Sequence, residues 1–212
     1  MTRAARQAQT RESLIEAARE AFLAHGIDGA SLAQIAEAAG CTTGAVYANF
    51  PGKEDLFLAV LDARRAGSVQ GQTRIVEAGL SLDASLRAIA RFLMSEFEED
   101  PRWAPLVAEY WARAARNPDF RAAAARRHAD VIEAVSALIE QLAERHGMRL
   151  TIPAREVARG GGALSRGVRL ERAIGLDDGA GVETFEEMFV AFMRGLLRPA
   201  RPPTSHHNDG DR

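Results

Sequence analysis

Apolar residues recur every three or four positions along almost the whole chain, and glycine or proline interrupts each of these stretches. This spacing places the apolar residues on one face of an α-helix, whereas a half-buried strand would alternate at every second position. The composition agrees, because alanine, the strongest helix former, occurs 41 times among 212 residues. The sequence therefore predicts an all-α fold of about nine helices.

The composition also restricts the class of protein. With 47% hydrophobic and 26% charged residues, the chain has the balance of a soluble globular protein. Its longest stretch without a charge, 38–52, contains glycine and proline, so we expect no membrane span. The N-terminus has no apolar secretory segment, and the single cysteine excludes an internal disulfide framework. We therefore expect a cytoplasmic protein.

Motifs for catalysis are missing from the sequence. It contains no GxSxG, P-loop or HExxH pattern, and no strand precedes the glycines at 160–162. We therefore expect no enzyme activity, no catalytic residue, no metal site and no cofactor. The net charge of −2 predicts no general affinity for nucleic acid, so any contact with DNA must depend on local features.

Capping and stop signals divide the N-terminal part into four helices. Thr10 is a candidate cap for a first helix that ends at Gly26, and Ser31 with Gln34 forms a capping-box pattern for a helix over 32–39. A third helix runs over 42–49, and Pro51 marks its end. The fourth begins at Lys53, and the glycines within 66–81 predict a connection there.

Five further apolar stripes predict helices over the rest of the chain. They lie at 82–97, 103–114, 119–146, 153–174 and 182–198, with Pro199 as the last stop signal. The polar, proline-containing segment 199–212 predicts a disordered tail. Glycine within the helix over 153–174 is costly, and close approach of a second helix would offset that cost.

The second and third predicted helices form the most specific local pattern. Only Gly40 and Cys41 separate them, and glycine permits the sharp reversal of a helix-turn-helix. Small residues at 36 and 39 allow the helices to pack closely, with Cys41 and Val46 facing the core. Many helical hairpins contain glycine, so this pattern alone does not identify a DNA-binding motif.

The fuller segment 10–62 resembles one known family. The residues that carry the resemblance are Ala17, Ala18, Phe22, Gly26, Ser31, Leu32, Ile35, Ala36, Gly40, Thr43, Gly44, Val46, Tyr47, Phe50, Lys53, Glu54, Asp55 and Leu56. In order and spacing they are similar to the DNA-binding domain of the tetracycline-repressor (TetR) family of bacterial regulators. The resemblance implies a helix-turn-helix domain over 1–52, a connector helix over 53–66, and a helical ligand-binding and dimerisation domain over 53–198.

The resemblance also implies which residues contact double-stranded operator DNA. They are Ser31, Thr42, Thr43, Gly44, Ala45, Tyr47, Asn49 and Lys53. Arg3 and Arg6 are further candidates, because the first eleven residues contain arginines and no acid. The helix dipole disfavours a cation at Lys53, and a bound phosphate reverses this effect; a solvated lysine is the alternative. For Tyr47 the alternative to a phosphate contact is a core position. The arginines at 3 and 6 either reach along DNA or belong to a disordered terminus.

The remaining helices contain two further sets of candidate residues. Candidates for an effector cavity between helices five and seven are Phe92, Phe97, Trp103, Tyr110, Trp111 and His128, with core packing as the alternative for each. The resemblance implies a homodimer in which the last two helices pair with their copies, through Gly161, Leu164, Val168, Phe185, Phe189, Phe192 and Leu196. Part of these stripes must belong to the intramolecular core.

Together these patterns predict a DNA-binding transcriptional regulator. We expect a repressor that a small, largely apolar effector releases from a palindromic operator. Two alternatives stay open, namely a DNA-binding regulator without a small ligand and an all-α sensor or scaffold without DNA binding.

Overall fold

A computed structural model describes residues 2–176 and 182–200, apart from the side chain of Phe97. Within these residues it contains nine helices and one pair of short strands, which confirms the all-α prediction. The elements are α1 (Arg3–Gly29), α2 (Leu32–Ala38), α3 (Thr43–Asn49), α4 (Lys53–Glu77), α5 (Leu82–Glu99), α6 (Trp103–Arg116), α7 (Pro118–Arg145), β1 (Met148–Leu150), α8 (Ala154–Ala173), α9 (Val182–Leu196) and β2 (Leu197–Pro199).

The first helix is longer than the sequence predicted at both ends. It begins at Arg3, because the hydroxyl of Thr2 accepts a hydrogen bond from the Ala5 amide at 3.2 Å and the following residues contain no helix breaker. The prediction that Thr10 caps the helix is therefore wrong. Gly26, with φ of 70°, kinks the helix, and a last turn continues to Gly29.

The two helices of the helix-turn-helix lie within one residue of their predicted bounds. Ser31 occupies the N-cap position of α2, but its side chain makes no capping hydrogen bond, so the predicted capping box does not form. Gly40 adopts φ of 65°, a conformation that favours glycine and reverses the chain between the helices. Val46 on α3 is fully buried and Cys41 packs at the edge of the same core, as predicted.

The fourth helix is longer than the predicted connector. It continues through Gly67 and Gly71 to Glu77, which corrects the predicted connector 53–66, while the helix end and the connection predicted within 66–81 lie in the last part of that stretch. The reason lies in packing, because the ring of Phe92 on α5 occupies the space that a side chain at position 71 would need. A Cβ atom there would lie 2.6 Å from Cε2 of Phe92.

This packing predicts opposite effects on stability when either of two glycines of α4, Gly71 or Gly67, is replaced by alanine. Gly71→Ala should lower the free energy of unfolding by about 1–3 kcal/mol, because the Phe92 ring must move. Gly67→Ala is the matched control: no atom lies within 4 Å of a Cβ there, so it should stabilise by about 0.5–1 kcal/mol. Urea denaturation of both variants measures these changes. A Gly71→Ala protein as stable as Gly67→Ala would contradict the packing argument.

Two hydrophobic cores stabilise the molecule. The first lies beneath the helix-turn-helix and also includes residues of α6 and α7, among them Tyr110 and Phe120. The second joins the end of α4 to α5, α7, α8 and α9. Since α6 and α7 contribute to the first core, α1 packs directly on α6 and α4 packs directly on α7.

The C-terminal end contains an element that the sequence did not predict. β2 pairs antiparallel with β1, and the Ala200 amide donates to the Gly147 carbonyl at 2.8 Å. The last helix therefore ends at Leu196, and residues 199 and 200 are ordered rather than part of a disordered tail. The rest of the predicted tail, 201–212, lies outside the described residues.

Candidate DNA-binding surface and effector cavity

The first turn of α3 is the most accessible part of the helix-turn-helix. Thr42, Thr43 and Gly44 are exposed, and Ala45 is half-buried, while Val46 on the opposite side anchors the helix. The Thr42 hydroxyl oxygen accepts from the Ala45 amide at 3.2 Å and so caps the helix. This turn presents backbone and small side chains to the outside, as close approach to base edges requires.

Two other side chains of α3 have contrasting environments. Tyr47 is 58% exposed, so the alternative of a core aromatic is wrong. The Asn49 amide group is half-buried and donates to the Ala45 carbonyl at 2.8 Å. Tyr47 is therefore available to an external partner, whereas Asn49 is engaged within its own helix.

The single lysine has partners that no sequence pattern indicated. Lys53 Nζ donates to the carbonyl oxygens of Asp28 at 2.7 Å and Ala30 at 3.1 Å, and its contact with a phosphate stays a prediction. These bonds tie the start of α4 to the connection between α1 and α2. An ammonium group has three donors, which leaves one for a phosphate.

The remaining candidates for DNA contact lie around these helices. Arg3 and Arg6 are exposed on the first turns of α1, not in an irregular arm, and Ser31 is half-buried. Sequence reasoning missed the position of Arg11, whose guanidinium carbon lies 4.7 Å from the centre of the Phe50 ring. Arg11, itself exposed, therefore lies beside the end of α3.

A cavity of about 470 Å³ lies among α4–α9. Trp103, Tyr110, Trp111 and His128 line it, and the Trp111 and His128 rings meet edge to face with centres 5.4 Å apart. Phe92, which was expected in this cavity, packs against Gly71 instead. The side chain of Phe97 lies outside the described residues.

The cavity wall contains charged residues that sequence reasoning missed. Four arginines line it, whereas Glu96 is the single carboxylate among the described lining residues; the arginines are Arg64, Arg65, Arg166 and Arg169. Burial, followed by the nearby cations Arg166 and Arg65, lowers the pKa of His128, so its imidazole is neutral at pH 7. The sequence signal that could have indicated these cationic lining residues was the arginines at positions 166 and 169, next to the apolar stripe of a predicted helix.

Helix α6 joins the cavity to the helix-turn-helix. Both carboxylate oxygens of Glu109 accept from the Ile27 amide, at 3.0 and 3.1 Å, just after the kink in α1. Arg113, one turn later, donates to Asp28 Oδ1 at 2.7 Å and to Glu54 Oε1 at 2.9 Å. Tyr110 and Trp111, between these two residues, line the cavity, so α6 contacts the cavity, the end of α1 and the start of α4. Spacing along the chain gave no sign of these contacts.

The residues expected to pair with a second subunit fall into two groups. Gly161, Phe185 and Phe189 lie in the protomer's own second core, because α9 packs closely on α8 there. The others are half-buried at the edge of that core; they are Leu164, Val168, Phe192 and Leu196. Phe192 also explains Gly160, since a Cβ at that glycine would lie 2.8 Å from the Phe192 ring.

The outward face of α8 and α9 is formed by other residues. Gly167 and Gly195 have no atom within 4 Å of a Cβ position, so packing within the described protomer does not require glycine there. Met188 is 44% exposed, and Ala191 beside it is also exposed. On α9, Met188, Ala191 and Gly195 lie at helical spacing and form a small apolar stripe, as a close helix–helix contact requires.

Within the described residues, no helix has the length and apolarity to cross a bilayer. The same part of the chain brings no three His, Cys, Asp or Glu side chains together in a group that could hold a metal ion.

Comparisons with known proteins agree with this arrangement. Residues 14–60 match the family described as "Bacterial regulatory proteins, tetR family", and residues 83–198, more than half of the chain, match "BetI-type transcriptional repressor, C-terminal". The HTH-type transcriptional repressor AcnR of Corynebacterium efficiens is 29% identical over 149 residues, which cover 68% of this chain and 71% of AcnR. The HTH-type transcriptional regulator SrpR of Pseudomonas putida is 48% identical over 62 residues, 29% of each protein.

Solved structures show the same fold over nearly the full length. A putative TetR-family regulator from Mesorhizobium loti superposes with a TM-score of 0.69 at 24% identity, covering 92% of this chain and 96% of the other. A TetR transcription regulator from Haloarcula marismortui gives 0.68 at 22% identity, with 90% and 100% covered. With the two family matches, the chain therefore belongs to the tetR family of bacterial regulatory proteins and is a DNA-binding transcriptional repressor.

Proposed function

We propose that this repressor binds a palindromic operator as a homodimer and that a small, largely apolar effector in the cavity releases it. The observation that carries the proposal is the position of α6. Trp111 on this helix lines the cavity, while Glu109 and Arg113 bind the end of α1 and the start of α4. A ligand that moves α6 therefore moves the elements that position the recognition helix. The family acts on DNA, so we propose the cytoplasm as its location.

The proposed DNA contacts divide into those that read bases and those that hold phosphates. Thr43, Gly44 and Ala45 would enter the major groove, because they form the accessible first turn of α3. Tyr47 and Lys53 would bind phosphates, since one is exposed and the other retains a donor. The proposed surface is completed by Arg3, Arg6, Ser31, Thr42 and Asn49. We assign this DNA-binding role to residues 1–52 and ligand binding and dimerisation to 53–198.

Dimerisation follows from the size of one recognition helix and from the outward face of α8 and α9. The few base contacts of a seven-residue helix cannot supply operator affinity alone, and a two-fold axis doubles them. Gly167, Met188 and Gly195 supply an accessible apolar face on which a second copy can pack. The half-buried residues Leu164, Val168, Phe192 and Leu196 border this face.

The assignment of phosphate and base contacts is tested with two substitutions. Lys53→Ala should weaken binding to operator and to unrelated DNA by the same factor, because a phosphate contact carries no sequence information. It should also lower the slope of log affinity against log salt concentration by about one per subunit. Thr43→Ala, the matched control in α3, should change the order of preference among operator variants and leave the salt slope unchanged.

Both proteins are compared by fluorescence anisotropy on labelled duplexes over a series of salt concentrations. Because Lys53 also binds two backbone carbonyls, thermal unfolding establishes first that each variant is folded at the assay temperature. If Lys53→Ala altered base preference at an unchanged salt slope, the assigned roles would be wrong.

A further inference from the structure

One end of the effector cavity concentrates positive charge that the protein neutralises only in part, since Arg65 lies 4.0 Å from Asp62 and Glu96 acts on Arg64 and Arg169. Arg64, Arg65, Arg166 and Arg169 all line the cavity, and Glu96 is the single acid among the described lining residues. Arg166 makes no ion pair with any described carboxylate. A buried cation without a counter-charge is unfavourable, so this end of the cavity favours an anionic guest.

Burial shifts the pKa of three guanidinium groups at this end of the cavity. It lowers the pKa of Arg64 and Arg166, and it lowers the pKa of Arg169 to about 10. The neighbouring arginines contribute to the decrease at Arg166 and Arg169. An anion among them would reverse both effects, because an opposite charge favours the protonated form.

Unpaired polar atoms identify where such an anion would bind. The Tyr110 hydroxyl, the Ser165 hydroxyl and Arg65 Nη1 are buried, line the cavity and have no hydrogen-bond partner among the described residues, although Arg65 Nη1 also lies 4.0 Å from Asp62 Oδ1 in an ion pair. Native proteins rarely leave such atoms unpaired, so they indicate a polar group that is brought by a ligand. The Arg65 guanidinium carbon lies 5.4 Å from the Tyr110 ring centre, and that of Arg166 lies 5.3 Å from the Trp111 ring centre. The Tyr110 and Trp111 ring centres lie 5.2 Å apart, and Arg65 and Tyr110 both act electrostatically on Arg166, so these donors lie close together.

The opposite end of the cavity is apolar. Val76, Leu86, Leu142, Val157 and Met193 line it and pack together in the second core. Both ends are connected along α4, where Arg65 and Val76 are eleven residues apart, which corresponds to about 16 Å at 1.5 Å per residue. The cavity therefore has a cationic end and a hydrophobic end, which lie about 16 Å apart along α4.

We infer that the cavity selects an amphipathic anion, a carboxylate with an apolar body, and that Arg65, Tyr110 and Arg166 hold the carboxylate. The planar guanidinium fork matches the two oxygens of a carboxylate, and the Tyr110 hydroxyl supplies a further donor. The inference rests on the proposal that this cavity is the effector site, and it restricts the effector from a largely apolar molecule to one with an acidic head.

Four probes test the charge and the apolar body separately. Dodecanoate, dodecanol and dodecylammonium share one chain and differ in head-group charge, and acetate carries the head without the chain. Both tryptophans of the protein, Trp103 and Trp111, line the cavity, so their fluorescence reports binding without DNA. Dodecanoate should bind at least about tenfold more tightly than the alcohol or the ammonium, and acetate should not bind at the same concentrations.

Three variants test which side chains discriminate between dodecanoate and dodecanol. Arg166→Gln should lower dodecanoate affinity by at least about tenfold and leave dodecanol affinity nearly unchanged. Tyr110→Phe removes only the unpaired hydroxyl and should reduce the same preference to a smaller extent, which keeps the test valid if Arg166→Gln unfolds. Arg126→Gln, an exposed arginine on α7, removes an equal charge and should change neither affinity.

The outcomes separate this inference from the proposed function. Binding of dodecanol or dodecylammonium as tightly as dodecanoate would overturn the selection for an anion, as would the absence of any dodecanoate binding. Equal affinity for acetate would overturn the role of the apolar end. Selective dodecanoate binding that leaves operator affinity unchanged would support the anion site and contradict the proposed release from DNA.

Discussion

Met188→Glu is expected to convert the repressor to monomers and to lower its operator affinity by at least about 100-fold, because two linked recognition helices bind far more tightly than one. Met188 is 44% exposed on the outward face of α9, so a charge there leaves the protomer core intact. In a symmetric dimer the two new carboxylates would approach each other across the axis and repel. Sedimentation velocity measures the mass, and anisotropy measures operator binding.

The control for this substitution is Leu80→Glu, which places the same charge on a residue that is 40% exposed between α4 and α5. It should leave both mass and operator affinity unchanged. Phe189, although expected from the sequence at the interface, is unsuitable because it is 6% exposed within the protomer core. A Met188→Glu monomer with full operator affinity, or an unchanged dimer, would reject the proposed interface.

Arg113→Met is expected to uncouple the effector from DNA. In the unmodified protein the effector should weaken operator binding by about 5–150-fold, the usual range of allosteric coupling. Without Arg113, α6 loses its ion pairs to Asp28 and Glu54, so movement of α6 is transmitted less directly to the recognition helix. The coupling should fall to about twofold or less, while effector affinity in the absence of DNA stays nearly unchanged.

Two variants of the same helix separate coupling from binding. Trp111→Ala should lower effector affinity and spare DNA affinity in the absence of ligand, since Trp111 lines the cavity. Arg116→Met, an exposed arginine at the end of α6, should behave as the unmodified protein. Each protein is titrated with the dodecyl probe that binds it, in the presence and absence of operator.

Reciprocity makes this measurement decisive, because operator DNA must weaken ligand binding by the same factor by which ligand weakens DNA binding. Equal ligand affinities with and without operator in the unmodified protein would exclude the coupling and indicate a regulator without a releasing ligand. Full coupling retained in Arg113→Met would assign transmission to contacts other than those of α6 with Asp28 and Glu54.

The helix-turn-helix could be predicted because its signals are local. A buried Val46 and a glycine reversal at Gly40 act over a few residues, so their spacing in the sequence equals their spacing in the structure. The same holds for the number and type of helices, which follow from periodicity and stop signals. The exposure of Tyr47 contradicts the alternative of a core position, whereas its phosphate contact stays a prediction.

The sequence could not predict contacts between residues that lie far apart in the chain, and the tertiary structure decided these. Periodicity and breakers by themselves determined an all-α chain with a helix-turn-helix near its start. Only the packing decided that α4 continues through Gly71, because the Phe92 ring occupies the space beside that glycine. Packing also decided that the Ile27 amide donates to Glu109, 82 residues away. Packing also gathered arginines from α4 and α8 around one cavity. The physical reason is that a local pattern specifies which face of a helix is apolar, whereas the partner of each buried polar group depends on which helices pack together.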